Sequence, residues 1–202
     1  LATAVSLDGD QPRARALLVE AQDLFRSIGD ETGVAWSINH LGDVARREGQ
    51  LAEAQRLYRD AASAFDRLAD PWGLARCAID LGLTQCDAGD RAEARASFER
   101  ALALFTDLRH RRGIARVLEG FAYLAVCEAQ YERALALASA SRATRDDAGA
   151  PRRPFEQSAF EDSLQPAWTA LGAAAASAIR AAARRLSLED AVAFALSDRT
   201  TL

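Results

Sequence analysis

Residues 51–90 read LAEAQRLYRDAASAFDRLADPWGLARCAIDLGLTQCDAGD, and residues 91–130 read RAEARASFERALALFTDLRHRRGIARVLEGFAYLAVCEAQ. Set one above the other without a gap, the two stretches align Ala54 with Ala94, Phe65 with Phe105, Gly73 with Gly113, Ala75 with Ala115 and Leu81 with Phe121. The row before, residues 11–50, supplies Ala14, Phe25, Gly33, Ala35 and Leu41 at the same places, and Ala134 opens a fourth row. Gly42 pairs with Gly82, and Gly49 with Gly89. A repeat at a fixed spacing of this size marks a solenoid or array, in which each unit buries its apolar face only against its neighbours.

The spacing inside a row is helical. Ala54, Leu57, Ala61, Phe65 and Leu68 step by three or four and share one face, and Leu74, Ala78, Leu81 and Gln85 form a second stripe after a break. Each repeat is therefore predicted to be two helices of about 18 residues. Gly49 and Gly89 sit where a helix end favours a left-handed residue. Asp70 before Pro71 reads as an N-cap followed by proline in the first turn, with Asp30 in the same place one repeat earlier. Asp90 with Glu93 approximates a capping box. The small residues Gly42, Gly82, Ala54 and Ala94 let the two helices of a hairpin approach, and Phe25, Phe65 and Phe105 fill the gap to the next hairpin.

Outward from these rows, Leu1-Ala2-Thr3-Ala4-Val5 is in phase with Leu41 and Leu81, so the chain is expected to begin within a helix, with more solenoid upstream. The expected organisation is repeats over 1–145, with units near 11–50, 51–90, 91–130 and 131–145. A turn-rich linker at 146–154 follows, and then 155–202 as a degenerate repeat or helical cap. Helices are expected over roughly 155–171, 173–185 and 188–196. The fold class is all-α: a right-handed superhelical solenoid of antiparallel helix pairs with a divergent C-terminal cap.

Composition narrows the chemistry. The 202 residues carry 25 basic and 29 acidic side chains, a net charge of −4, without the basic surplus of a polyanion binder. Every basic residue is Arg, which excludes a Walker phosphate loop or a Schiff base. Arg in place of Lys, with abundant Ala, points to a GC-rich and bacterial coding genome. Cys77, Cys86 and Cys127 have no metal-ligand or disulfide-framework spacing and read as small buried hydrophobes. His40 and His110 have no nucleophile partner in a recognisable motif, and Asp146-Asp147 lies in the linker. The chain is expected to be no enzyme, to need no cofactor or metal, to contact neither nucleic acid nor membrane directly, and to be cytoplasmic.

The pattern resembles the tetratricopeptide repeat, which places Leu-Gly, Ala, an aromatic and Ala at set positions of two antiparallel helices. Leu41-Gly42, Ala54, Tyr58 and Ala61 match, as do Leu81-Gly82, Ala94, Phe98 and Ala101; Phe121-Ala122, Ala134, Ala138 and Ser141 match more loosely. The repeat here is forty residues rather than thirty-four, and the extra six are expected to lengthen the second helix and its turn by up to about 9 Å. The long form, its turns such as Gly29-Asp30-Glu31-Thr32-Gly33, and the closing run Leu186 to Leu196 are similar to the C-terminal repeats of large bacterial signalling ATPases that act as transcriptional regulators. That resemblance implies a non-catalytic interaction and sensing scaffold behind an upstream nucleotide-binding switch domain. Its partner would be a protein or that upstream domain, with a small-molecule inducer receptor or a free-standing adaptor as alternatives. It also implies a groove lined by the first helix of each pair. Carried onto this chain, the groove columns are Trp36, Arg76 and Arg116; Asn39, Ile79 and Glu119; and Asp43, Leu83 and Tyr123. Trp and Arg are typical anchors of an interface, while an ordinary solvated or partly packed helix position is the competing account of each. Arg109-His110-Arg111-Arg112, Arg152-Arg153 and Arg184-Arg185 are either phosphate-contacting runs or solvated turns.

Overall fold

The computed structural model describes residues 5, 6 and 9–202, so the phase match at Leu1–Ala4 lies outside the described residues. The architecture is an all-α helical-repeat solenoid. Its helices are α1 (Gln11–Ser27), α2 (Glu31–Arg47), α3 (Leu51–Arg67), α4 (Pro71–Ala88), α5 (Arg91–Asp107), α6 (Arg111–Cys127), α7 (Tyr131–Asp147), α8 (Pro154–Ser163), α9 (Gln165–Ala183) and α10 (Leu188–Leu196). From α1 to α7 each helix packs on the next, and the first helices of successive hairpins also touch, α2 with α4 and α4 with α6. Those first helices therefore occupy the tighter side of the stack, where a groove would lie.

The extra length is not confined to the second helix of each pair. First helices α2, α4 and α6 have 17, 18 and 17 residues, and second helices α3, α5 and α7 have 17 each. The true spacing is one helix and one tight turn per twenty residues. From α1 to α7 the residue before each N-cap is left-handed: Gly9, Gly29, Gly49, Ala69, Gly89, Arg109 and Ala129 all have positive φ, and Gly149 takes the same conformation after α7. Three of these are not glycine. A left-handed L-residue costs roughly 1–2 kcal/mol, against roughly 0.5–1 kcal/mol of extra chain entropy lost by glycine. Ala69→Gly, Arg109→Gly and Ala129→Gly are each expected to raise the unfolding free energy by about 0.5–1 kcal/mol. Urea titration checks this, and a fall in midpoint would show that these turns are not strained.

From α2 to α7 the caps divide by helix type, while α1, in the second-helix place, is capped by Asp10. Asp30 accepts from the Gly33 amide at 2.9 Å, Asp70 from Trp72 and Gly73 at 3.0 Å each, and His110 Nδ1 from Gly113 at 2.9 Å. The second helices beginning after Gln50, Asp90 and Gln130 have no side-chain cap, so the expected box at Asp90 and Glu93 does not form. The glycines that receive the caps also make room for rings. A Cβ on Gly33, Gly73 or Gly113 would lie 2.4 Å from Phe25, Phe65 or Phe105, the ring arriving from the preceding helix. Within the hairpins, Gly42 faces Tyr58 and Gly82 faces Phe98 in the same way. Asp70→Ala is expected to cost about 1 kcal/mol of stability, readable as a lowered melting midpoint; no shift would mean water caps α4 equally well.

The C-terminal region departs from the twenty-residue rhythm. Helix α7 runs to Asp147 and α8 begins at Pro154, so three residues of the 146–154 stretch are helical. The helix expected over 155–171 is interrupted at Leu164, because Pro166 opens a new helix in its first turn. Gly172, at φ 73° and ψ 163°, then breaks α9. Helix α9 packs along α7, and α10 packs on α6 and α7. Arg133 of α7, 2% exposed, fixes α10: it donates to the carbonyl of Ala195 at 2.8 Å and to that of Arg199, and its guanidinium lies 5.0 Å from the Phe194 ring centre. A cation at a helix C-terminus both satisfies open carbonyls and complements the dipole.

Candidate functional site

The first-helix face carries a chain of buried and half-buried polar groups. Its centre is Asp80 on α4, which is 3% exposed and was not among the residues the sequence pointed to. The Asp80 carboxylate accepts from Arg76 Nε at 2.6 Å and from Asn39 Nδ2 of α2 at 3.3 Å, and a guanidinium nitrogen of Arg116 on α6 lies 3.5 Å away. One carboxylate thus joins three consecutive hairpins. Arg76 sits close enough to hold the Arg116 guanidinium below its ordinary pKa, with burial adding to the effect. Arg116 Nε and Asn39 Oδ1 are buried and have no hydrogen-bond partner among the described residues.

On either side of Asp80 lie two further nodes. Asp43 accepts from the Tyr58 hydroxyl at 2.8 Å and lies 3.2 Å from His40 Nδ1. Burial alone would raise its pKa; the contact with His40 and the Arg76 charge override this, and the pKa falls from 3.8 to about 2. A carboxyl with a depressed folded-state pKa contributes stability that is complete above its unfolded value and is lost as pH falls through the folded one. Stability is therefore expected to decline between about pH 4 and pH 2, and Asp43→Asn to flatten that decline; an unchanged acid limb in the variant would sink the assignment. Glu119 on α6 accepts from Arg145 Nε at 2.5 Å, from Ser141 Oγ at 2.9 Å, and from Arg152 at 2.6 Å. Burial opposes ionisation of Glu119, but the hydrogen bonds from Arg145 and the charge of Arg152 prevail and lower its pKa. Tyr123 donates to Asp87 at 2.8 Å, and Asp87 also receives Arg46 Nε at 2.6 Å.

The structure thus brings Asn39, Arg76 and Arg116 together at Asp80, while Asp43, Glu119 and Tyr123 belong to separate nodes. Ile79 is 1% exposed and is core rather than groove. Asp80, Asp87 and Arg145 were missed, and Arg152 was read only as part of a phosphate-contacting or solvated basic run. Position 80 shares its place in the repeat with His40 and Gly120, a column with no common residue type and so no signal. Arg152, which the sequence placed in a linker, has a side chain only 4% exposed. Cys77 and Cys86 are buried, and burial pushes the Cys77 thiol up to about 12.

Trp36 is outside this network. Its ring centre lies 4.7 Å from Phe65 and 5.2 Å from Trp72, and Trp72 meets His110 edge-on at 6.5 Å. Trp36, Trp72 and His110 form an aromatic ledge across the starts of three successive first helices. Trp72 is 42% exposed, so the ledge faces solvent.

Among the described residues no group of three or more His, Cys, Asp or Glu side chains could hold a metal ion. None of their helices is long and apolar enough to cross a membrane. No protein-family model matches the chain, and no curated protein matches it. Among solved structures, BtubC (BKLC) from P. vanneervenii is similar at a TM-score of 0.60 and 21% identity, over 76% of this chain and 65% of that one. The chain therefore spans less than two thirds of that relative, and the likeness concerns the fold.

Proposed function

We propose that the chain is a non-catalytic, cytoplasmic interaction and sensing scaffold of the tetratricopeptide type, the C-terminal part of a bacterial signal-transduction or transcriptional regulator with an upstream nucleotide-binding switch domain. The observation that carries the scaffold reading is the Trp36–Trp72–His110 ledge. Large aromatic side chains held rigidly and left facing solvent are the usual anchors of a docking surface. The groove supports this in a way the sequence did not suggest: its charges are already paired, so it acts as a stiff backing rather than as a free set of ligand-binding groups. The switch-domain part rests on the repeat and tail resemblance alone.

Two experiments test the two parts. Sequencing the coding DNA upstream should reveal a phosphate-loop motif in the same frame; a frame with no nucleotide-binding domain overturns the regulator reading and leaves the scaffold. In the full-length protein, Trp72→Ala should weaken docking of the partner or upstream domain by about thirtyfold, well beyond the modest fall in melting midpoint expected from losing its contacts with Trp36 and His110. Unchanged affinity would remove the ledge from the interface.

A second reading, a small-molecule receptor, is favoured by a different feature, a cleft of about 450 Å³ between the last repeat and the cap. That volume lies within the range of sites for small ligands.

A further inference from the structure

The cleft is formed by α7, α8 and both halves of α9. Leu135 and Leu164, 1% and 5% exposed, give it an apolar base, and Phe160 and Trp168 form walls. Three arginines, Arg142, Arg152 and Arg180, face it from different helices and the α7–α8 connection, against one lining carboxylate, Glu161. Glu161 already accepts a hydrogen bond from Gln157. Arg152 lies 4.1 Å over the Phe160 ring centre and Arg180 5.1 Å over that of Trp168, so both guanidiniums are positioned by aromatic faces.

The Arg152 side chain is 4% exposed and its outer nitrogens are committed, one to Glu119 at 2.6 Å and Ser141 at 3.2 Å, the other to Gln157 at 3.0 Å. Its Nε is buried without a partner among the described residues. A buried N–H of a charged group is normally satisfied, and an orphan calls for an acceptor. Arg142 and Arg180 enter no ion pair among the described residues, so the cleft carries uncompensated positive charge in a protein whose net charge is −4.

We propose that this cleft binds a small organic anion, a carboxylate or phosphate group carried on a flat apolar body. The anionic group meets Arg142 and Arg180, and the apolar body lies against Leu135 and Leu164. The inference rests on the small-molecule reading and is independent of the aromatic ledge. Because α7 belongs to the repeats and α8 and α9 to the cap, an occupant tightens the cap onto the solenoid and raises the melting temperature with its concentration.

The test is calorimetric titration of the 202-residue chain with benzoate, phenyl phosphate, inorganic phosphate and benzyl alcohol. Benzoate or phenyl phosphate is expected to saturate one site per chain, inorganic phosphate to bind more weakly, and the neutral alcohol not at all. Arg152→Gln would strip a partner from buried Glu119 and risks the fold, so the decisive variant is Arg142→Gln with Arg180→Gln. It should weaken binding at least about tenfold, with only a small fall in the ligand-free melting midpoint from the lost Arg180–Trp168 contact. Binding unchanged in that variant places the ligand elsewhere and overturns the cleft while sparing the receptor reading. Inorganic phosphate binding as tightly as phenyl phosphate overturns the apolar part, and no saturable heat from any anion below about 10 mM overturns the whole.

Discussion

Asp80→Ala is expected to lower the unfolding free energy by about 3–5 kcal/mol, the usual consequence of removing one member of a buried ionic cluster. The cost is not the loss of an attraction in itself. Arg76 and Arg116 stay where they are, half-buried and facing each other, and the Arg116 guanidinium is already disfavoured by its neighbour. Asn39 loses the acceptor for an amide hydrogen at the same time. Because the three donors belong to α2, α4 and α6, the substitution also loosens the contacts between hairpins. The unfolding transition should broaden as well as shift, since nearest-neighbour coupling is what makes a repeat array unfold together. Asp80→Asn keeps the shape and removes the charge, and should fall between the two. A loss below about 1 kcal/mol for the alanine variant would mean that the cluster is solvated and adds no more than a surface pair.

Phe98→Ala should cost as much, about 3–5 kcal/mol, by cavity formation. The ring is fully buried and wedged between two glycines, Gly82 of α4 and Gly120 of α6, with Phe121 at 5.5 Å between ring centres. A Cβ on Gly120 would come within 2.5 Å of that ring. Gly120→Ala alone should therefore destabilise by about 1–3 kcal/mol through overpacking. Combined with Phe98→Leu the two changes should be less than additive, since the smaller side chain vacates the space the new methyl needs. Strict additivity would show that ring and glycine are not in contact.

The sequence made much of this legible. The Ala, Phe and Gly columns announced paired helices, and the Asp30 and Asp70 caps form as expected because their geometry depends only on the next three residues. The ring-on-glycine contacts were half visible: Gly33 with Phe25 and Gly73 with Phe65 recur in step, but Gly120 stands outside the columns and its contact with Phe98 needed coordinates. The twenty-residue rhythm escaped because Ala69, Arg109 and Ala129 stand where Gly29 and Gly49 advertise a left-handed turn; the neighbouring hydrogen bonds enforce the conformation without the residue that signals it. The groove columns lie on the first helices, and several of their side chains are engaged by partners within the chain. Column arithmetic locates a side chain and says nothing of its partners, and Asp80, Arg145 and Arg152 are those partners. Arg152 was hidden by its setting in a proline-rich turn, where solvation is the ordinary expectation.

Arg133 has a consequence for the order of events during synthesis. Helices α1 to α5 find their partners within one or two helices along the chain, so each hairpin can settle soon after it is made, and contacts so close in sequence form quickly. The Arg133 contacts to Ala195 and Arg199 span 62 and 66 residues. Until those residues emerge, a guanidinium destined for burial stands open on the newest finished repeat, and a charge held at that edge discourages a neighbouring chain from stacking there. Docking of α10 then covers that guanidinium and supplies its carbonyl acceptors.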